Sequence, residues 1–197
     1  DFWNERYEKD EYAYGVEPND FLKNQLEGIT PGEILLPAEG EGRNAVYAAL
    51  KGWQVHAVDF SEAGKRKALE LAKERNVDIR YDIGDISTFI SDQKYGVIAF
   101  IFAHLPPDLK KFAYTRLLGY LSPGGIVVLE MFSKRQLGLS SGGPKHIDAL
   151  WNEEEILAYF PGLEVVQLEE VETVLKEGPF HDGKAYTMRF VGRKPVS

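Results

Sequence analysis

"EILLPAEGEGRNAVYAALKG" (Glu33–Gly52) decides the fold. Its opening, "EILLPA" (33–38), reads as a buried strand, and "GRNAVYAALKG" (42–52) reads as a helix ending near Gly52. Between them Gly40-Glu41-Gly42 makes a tight turn. Strand, glycine turn and helix form the first half of a nucleotide-binding unit, whose turn presents backbone N–H groups to a ligand. The next strand, "QVHAVDF" (54–60), carries Asp59 nineteen residues after Gly40, near the spacing at which an acid meets ribose hydroxyls.

Two glutamates in such a turn, Glu39 and Glu41, need a reason. The string Gly40-x-Gly42-x-x-Ala45 also satisfies the dinucleotide pattern, so spacing alone leaves a nicotinamide-dependent oxidoreductase open. Charge separates the choices. Two unit charges about 4 Å apart interact by roughly 4 kcal/mol at an effective dielectric near 20, and a pyrophosphate here would meet carboxylates. S-adenosylmethionine has no phosphate and carries a sulfonium and an ammonium, so an acidic turn favours it.

Downstream, apolar runs alternate with amphipathic ones. "SEAGKRKALELAKERN" (61–76) predicts a helix N-capped by Ser61, and "VDIRYDI" (77–83) a third strand. "YGVIAFIF" (95–102) suits a strand buried on both faces. Pro106 and Pro107 open a helix to about Leu121, "SPGG" (122–125) is a turn, and "IVVLEMF" (126–132) is a fifth strand. This order argues for a parallel sheet with helices on both faces, an α/β fold. Asn152 and Glu155 stand at capping-box spacing ahead of a helix at about 152–160. "LEVVQLEEVETVL" (163–175) and "KAYTMRFVGRK" (184–194) leave no room for a helix between them and should pair antiparallel at one end of the sheet.

"ILLPAEGEGRNAVYAA", Asp59, "LSPGG" and the N-terminal "FWNERYEKDEYAYGVEPNDFL" together resemble class I S-adenosylmethionine-dependent methyltransferases, of the tellurite-resistance type. The resemblance covers nearly the whole chain. It implies a doubly wound, Rossmann-like seven-stranded sheet ordered 3-2-1-4-5-7-6 with strand 7 antiparallel. It also implies one methyltransferase domain over 1–197, in which residues 1–32 cover a core at 33–197. Cofactor contacts are implied at Tyr14, Ala38, Glu39, Gly40, Glu41, Gly42 and Asn44, and at Asp59, Phe60 and Ser61. Further contacts are implied at Gly84, Asp85 and Ile86 for the adenine and at Phe102 and Ala103 beside the methyl group. Asp85 also reads as a helix N-cap. The chain departs from the family's first motif: Leu36 replaces an Asp, Ala38 the first Gly, and Glu39 stands where Cys or a small residue is common. Glu39 is expected to compensate by facing the cofactor's ammonium.

The acceptor is less legible. His104, after strand 4, and His181, in "EGPFHDG", are the candidate catalytic bases, with a loop histidine and a hairpin tip as the structural alternatives. Arg6 and His146 are candidate acceptor contacts; His56 sits inside strand 2 and reads as structural. Four scattered histidines and no cysteine give no metal site and no covalent cysteine route. "HLPPD" (104–108) lacks the Asn/Asp-Pro-Pro-aromatic motif of enzymes that methylate exocyclic nitrogens. With a net charge of −8 and no basic stripe, this points away from nucleic acid and toward a small-molecule acceptor, by resemblance a thiol or a chalcogen or metalloid species. A non-catalytic S-adenosylmethionine-binding module is the other alternative. No apolar run approaches the roughly 20 residues needed to span a membrane, and no signal-peptide pattern is present, so a cytoplasmic protein is expected. The aromatic and acidic first 20 residues, with Phe2, Trp3, Tyr7, Tyr12 and Tyr14, read as a lid over the cofactor.

Overall fold

A computed structural model describes residues 2–197; Asp1, counted above in the covering segment, lies outside them. Seven strands form one sheet in the order β3-β2-β1-β4-β5-β7-β6. They are β1 Glu33–Pro37, β2 Gln54–Asp59, β3 Arg80–Ile83, β4 Tyr95–Ile101, β5 Leu121–Phe132, β6 Glu164–Lys176 and β7 Asp182–Arg193. Strands β1 to β5 pair in parallel, and β7 runs antiparallel to both β5 and β6. Among the described residues six α-helices accompany them: α1 Phe2–Tyr7, α2 Asp20–Glu27, α3 Arg43–Leu50, α4 Glu62–Glu74, α5 Pro107–Leu117 and α6 Glu153–Tyr159.

Strand alternation builds the two layers. Ile34 and Leu36 point into a core shared with α2 and α3 through Leu22, Leu26 and Ala48. Leu35, between them, points into the opposite core with Tyr114 of α5 and Ile156 of α6. Helix starts follow the sequence: Ser61 Oγ accepts from Gly64 N at 3.0 Å, and Asn152 Oδ1 accepts from Glu155 N at 2.9 Å. The reciprocal half of the capping box is missing, because the Glu155 carboxylate is taken by Lys110 and Lys134.

The expected turn at 122–125 lies within β5. The register jumps from Tyr95↔Leu121 to Val97↔Ile126, and the displaced residues pair with the chain after β7 (Gly124 N to Lys194 O, 2.9 Å; Lys194 N to Gly125 O, 2.8 Å). Asp85 caps no helix, since residues 86–88 form a turn in which Ser87 N donates to Asp85 Oδ1 at 2.8 Å. Strand β3 starts three residues later than expected, at Arg80.

Candidate active site

The C-terminal ends of β3, β2, β1 and β4 lie side by side, so the residues after them share one edge of the sheet, where ligands sit in open α/β folds. The turn after β1 carries three left-handed residues: Ala38 (φ 56°), Gly40 (φ 62°) and Gly42 (φ 88°). At Ala38 that conformation costs about 1 kcal/mol relative to glycine. Gly42 N-caps α3, and a Cβ there would sit 2.5 Å from Ala68 Cβ, so this glycine lets α3 pack against α4.

The two glutamates have different tasks. Glu39 Oε1 accepts from Ala45 N at 2.7 Å, placing its carboxylate at the N-terminus of α3, the position an external anion would seek. Burial pushes it up to about 8. Glu41 turns away from the ligand side. It accepts from Ala13 N (2.7 Å) and from Lys67 Nζ (2.6 Å), and Lys67 also donates to Glu11 O (2.8 Å). This buried pair ties the N-terminal segment to α4, so the expectation of a cofactor-facing Glu41 is corrected.

Asp59 braces the turn. Its Oδ2 accepts from Gly40 N at 2.8 Å and its Oδ1 from Ser61 N at 3.1 Å, and burial raises its pKa. Helix α1 covers it. Asn4 Oδ1 accepts from Ser61 Oγ (3.2 Å) and Ala63 N (3.1 Å), and the Tyr7 hydroxyl lies 2.6 Å from where a Gly40 Cβ would stand. Phe60 and Asp85 are exposed along the same edge, Gly84 is half-buried and Ile86 is buried. Asn44 Oδ1 accepts from Asn19 N (2.9 Å), which commits it to anchoring the chain that enters α2.

Beyond β4, rings converge. Phe102 (φ 48°) stacks on Phe132 at 4.5 Å and meets His181 edge-on at 4.7 Å; His181 lies 4.3 Å from Tyr14 and 5.1 Å from Phe132, all between centroids. His181 is therefore no solvated hairpin tip: it is 5% exposed and faces the end of β4. Tyr14 accepts from Arg6 Nη1 at 2.9 Å, and that guanidinium lies over Phe180 (4.2 Å) and Phe2 (4.4 Å). Ala103 is buried, with its carbonyl accepting from Tyr114.

His104 departs from the expected base. Its Nδ1 bonds Ala149 O at 3.1 Å and its Nε2 accepts from Phe132 N at 3.3 Å. Burial holds its pKa down to about 3, so it is a neutral tie between β4, β5 and the 147–149 turn with no free lone pair. His146 is exposed on that loop.

Two residues were missed from the sequence. Arg43, 8% exposed, pairs through Nη2 with Glu177 Oε2 at 3.3 Å, while its Nη1 is buried without a hydrogen-bond partner among the described residues. Glu177 also accepts from Asn19 Nδ2 (3.0 Å), lies 3.5 Å from His181 Nδ1, and is held down to about 2, with burial opposed by His181 and Arg43. The signals were present: a cation directly after the N-cap of α3 opposes the helix dipole, and Glu177 stands four residues before His181.

Residues 34–125 match the family model described as a methyltransferase domain. The chain is similar to a structure solved for the conversion of a disulfide bond into a thioacetal group during echinomycin biosynthesis (14% identity, 100% of this chain and 89% of that one, TM-score 0.78). It is also similar to TehB from Haemophilus influenzae (18%, 98% and 66%, TM-score 0.70). A third similar structure is the N-methyltransferase NodS from Bradyrhizobium japonicum with S-adenosyl-l-homocysteine (15%, 99% and 100%, TM-score 0.71). In sequence it is 23% identical over 176 residues to Hemagglutinin 1 of Eikenella corrodens, covering 86% of this chain. The chain spans about half (56%) of that relative's length. The matched domain model covers 34–125, and the fold is the one shared with these methyltransferase structures. No helix among the described residues is long and apolar enough to cross a membrane.

Proposed function

We propose that this protein methylates a small molecule through a soft nucleophile, a thiol or a chalcogen or metalloid species, as a single methyltransferase unit of the tellurite-resistance type. The observation that carries the cofactor end is the Glu39 carboxylate at the N-terminus of α3. It stands where a dinucleotide's pyrophosphate would bind, and it suits an ammonium. Buried Arg43, with Nη1 unpartnered, fits the cofactor's carboxylate. Asp59 would hold the ribose, with Phe60, Gly84, Asp85 and Ile86 around the adenine and Tyr14, Ala38 and Gly40 along the methionine moiety. The cofactor supplies an electrophilic methyl group on a sulfonium. The protein's part is alignment and exclusion of water, and Phe102, Phe132 and Tyr14 wall the acceptor end. Such walls favour a polarizable sulfur-like atom, and the echinomycin-pathway structure comes from sulfur chemistry. Arg6 is proposed to face the acceptor from the N-terminal segment, and His146 from the loop after β5.

The test is calorimetry with S-adenosylmethionine, S-adenosylhomocysteine and a nicotinamide dinucleotide, followed by methyl transfer to a thiol and metalloid panel. Binding of the first two alone is expected, with turnover. Dinucleotide binding would overturn the cofactor reading; binding without turnover on any acceptor would leave a non-catalytic module.

A further inference from the structure

The hairpin between β6 and β7 delivers a buried acid and a buried imidazole to the ring cluster at the end of β4, and the imidazole nitrogens are not all used. His181 Nδ1 is buried with no hydrogen-bond partner among the described residues, and Glu177 Oε2 lies 3.5 Å from it. Its Nε2 has no hydrogen-bond partner among the described residues. It faces Gly142, where a Cβ would come within 3.3 Å of Nε2 and 2.6 Å of the ring carbon Cδ2. A side chain at 142 would close that approach. The ring itself is fixed by Tyr14, Phe102 and Phe132.

We propose that Glu177 and His181 form a general-base dyad for a protic thiol acceptor, with His181 the catalytic residue and Glu177 its positioning residue. This rests on the methyltransferase reading above and names the acceptor's protonation state. Glu177 fixes the tautomer by accepting from Nδ1–H, which leaves the Nε2 lone pair free on the side of Gly142. The thiol S–H bond breaks and its proton moves to Nε2. The sulfur electron pair forms the new S–CH3 bond as the sulfonium–methyl bond breaks, and that bond's pair stays on the departing thioether. The imidazolium formed is stabilised by Glu177 and returns its proton to solvent. An alkyl thiol, with a pKa of about 8.5, is mostly protonated at neutral pH and needs this step; an already ionised acceptor does not.

Charged and titratable groups face His181 from every neighbouring element. Glu177 is on its own hairpin, Arg43 on α3, Arg6 and Tyr14 on the N-terminal segment, and His104 after β4. Burial lowers its pKa first, opposed by Glu177 and aided by Arg43 and Arg6. Its neutral, proton-accepting form is therefore the resting form at neutral pH.

The test compares the parent, H181N and E177Q with an alkyl thiol and with a more acidic aryl thiol, and reads the histidine ring nitrogens by NMR as a function of pH. H181N should lose at least a hundredfold in kcat/KM with the alkyl thiol and less than tenfold with the aryl thiol. E177Q should move the His181 titration to lower pH in the resting protein, shift the acidic limb of kcat/KM the same way, and redistribute the two tautomers. Cofactor affinity by calorimetry should change less than threefold in H181N, which shows that its fold persists. Equal losses on both thiols, or an unmoved His181 titration in E177Q, overturn the dyad. A parent that binds S-adenosylmethionine yet methylates neither thiol overturns it too and spares the cofactor reading. A parent that does not bind the cofactor brings down both.

Discussion

Glu39→Gln gives a pH-resolved test of the acidic turn. In the parent, burial pushes Glu39 up to about 8, against the pull of the Ala45 N–H and Arg43. At pH 7 only about one molecule in ten then has it ionised. A cofactor ammonium beside the carboxylate favours the ionised form, so binding should expel a proton. If the ionised form binds about tenfold better, apparent affinity follows its fraction and rises about fivefold between pH 7 and pH 9. The glutamine variant keeps an acceptor for Ala45 N but has no such titration. The ligand's own amine titrates identically in both proteins and cancels in the ratio of dissociation constants. That ratio should be near one at pH 6, where Glu39 is protonated, and reach about tenfold or more at pH 9. Calorimetry at pH 7 in two buffers of different ionisation enthalpy should show about 0.4 proton released by the parent and not by the variant. A ratio constant across pH would refute the assignment.

The same shift has a stability consequence of fixed sign. Without cofactor, the folded state keeps a proton that the unfolded chain loses above its ordinary value of 4.5. The native state therefore binds more protons between 4.5 and about 8, and stability falls as pH rises through that window. The glutamine variant should show a flatter profile there by urea denaturation.

Two further substitutions read out the other acids. Asp59→Asn retains one side-chain acceptor and should fold, while weakening S-adenosylmethionine by about tenfold or more in calorimetry; parent-like affinity would remove the ribose assignment. Glu41→Gln leaves Lys67, 6% exposed, without its counter-charge and should cost about 3–5 kcal/mol in denaturant unfolding; an unchanged midpoint would show that the pair is not structural.

The sheet was legible because its signals are local and periodic. Ile34 to Leu36 alternate between the two cores, the turn residues after them are small, and the last two strands leave no room for a helix. The boundaries at 122–125 were not, because the chain after β7 decides whether those residues turn or pair. Charge at the turn was half legible. Sequence places Glu39 and Glu41 one residue apart, but a tight turn sends them to opposite sides, and only the fold brings Lys67 to one of them. His104 took the hydrogen-bonded alternative and His181 left the hairpin tip for the same reason. A histidine after a central strand was claimed by backbone groups of β5 and its following loop, whereas one in a hairpin was buried by the N-terminal segment folding over it. Contacts spanning more than a hundred residues, such as Arg43 with Glu177, leave no periodic trace.

If Asp59 holds the ribose as proposed, the cofactor has to pass that N-terminal segment to reach it. The carboxylate is 5% exposed beneath α1, with Asn4 on the start of α4 and Tyr7 against Gly40. The cover is pinned at its far end, where Asn19 bonds Asn44, Glu130 and Glu177. Its middle is joined to the β6–β7 hairpin: Phe180 N donates to Ala13 O at 3.3 Å, and a Cβ on Gly178 (φ 77°) would stand 2.6 Å from Gly15 N. Six helical residues from Phe2 to Tyr7 are too few to be stable alone, so α1 should open locally while Asn19 holds. On the proposed site, entry and release should then occur by peeling residues 2–15, and cofactor should slow amide exchange there more than in β6. Gly178→Ala should loosen the segment from the hairpin, raising exchange at 12–15 and 177–181 and speeding both association and release of S-adenosylmethionine in stopped-flow measurements. Exchange at 2–15 unaffected by bound cofactor, together with unaltered rates in the variant, would mean that α1 is a permanent part of the wall and that the cofactor enters past Phe60 and Asp85.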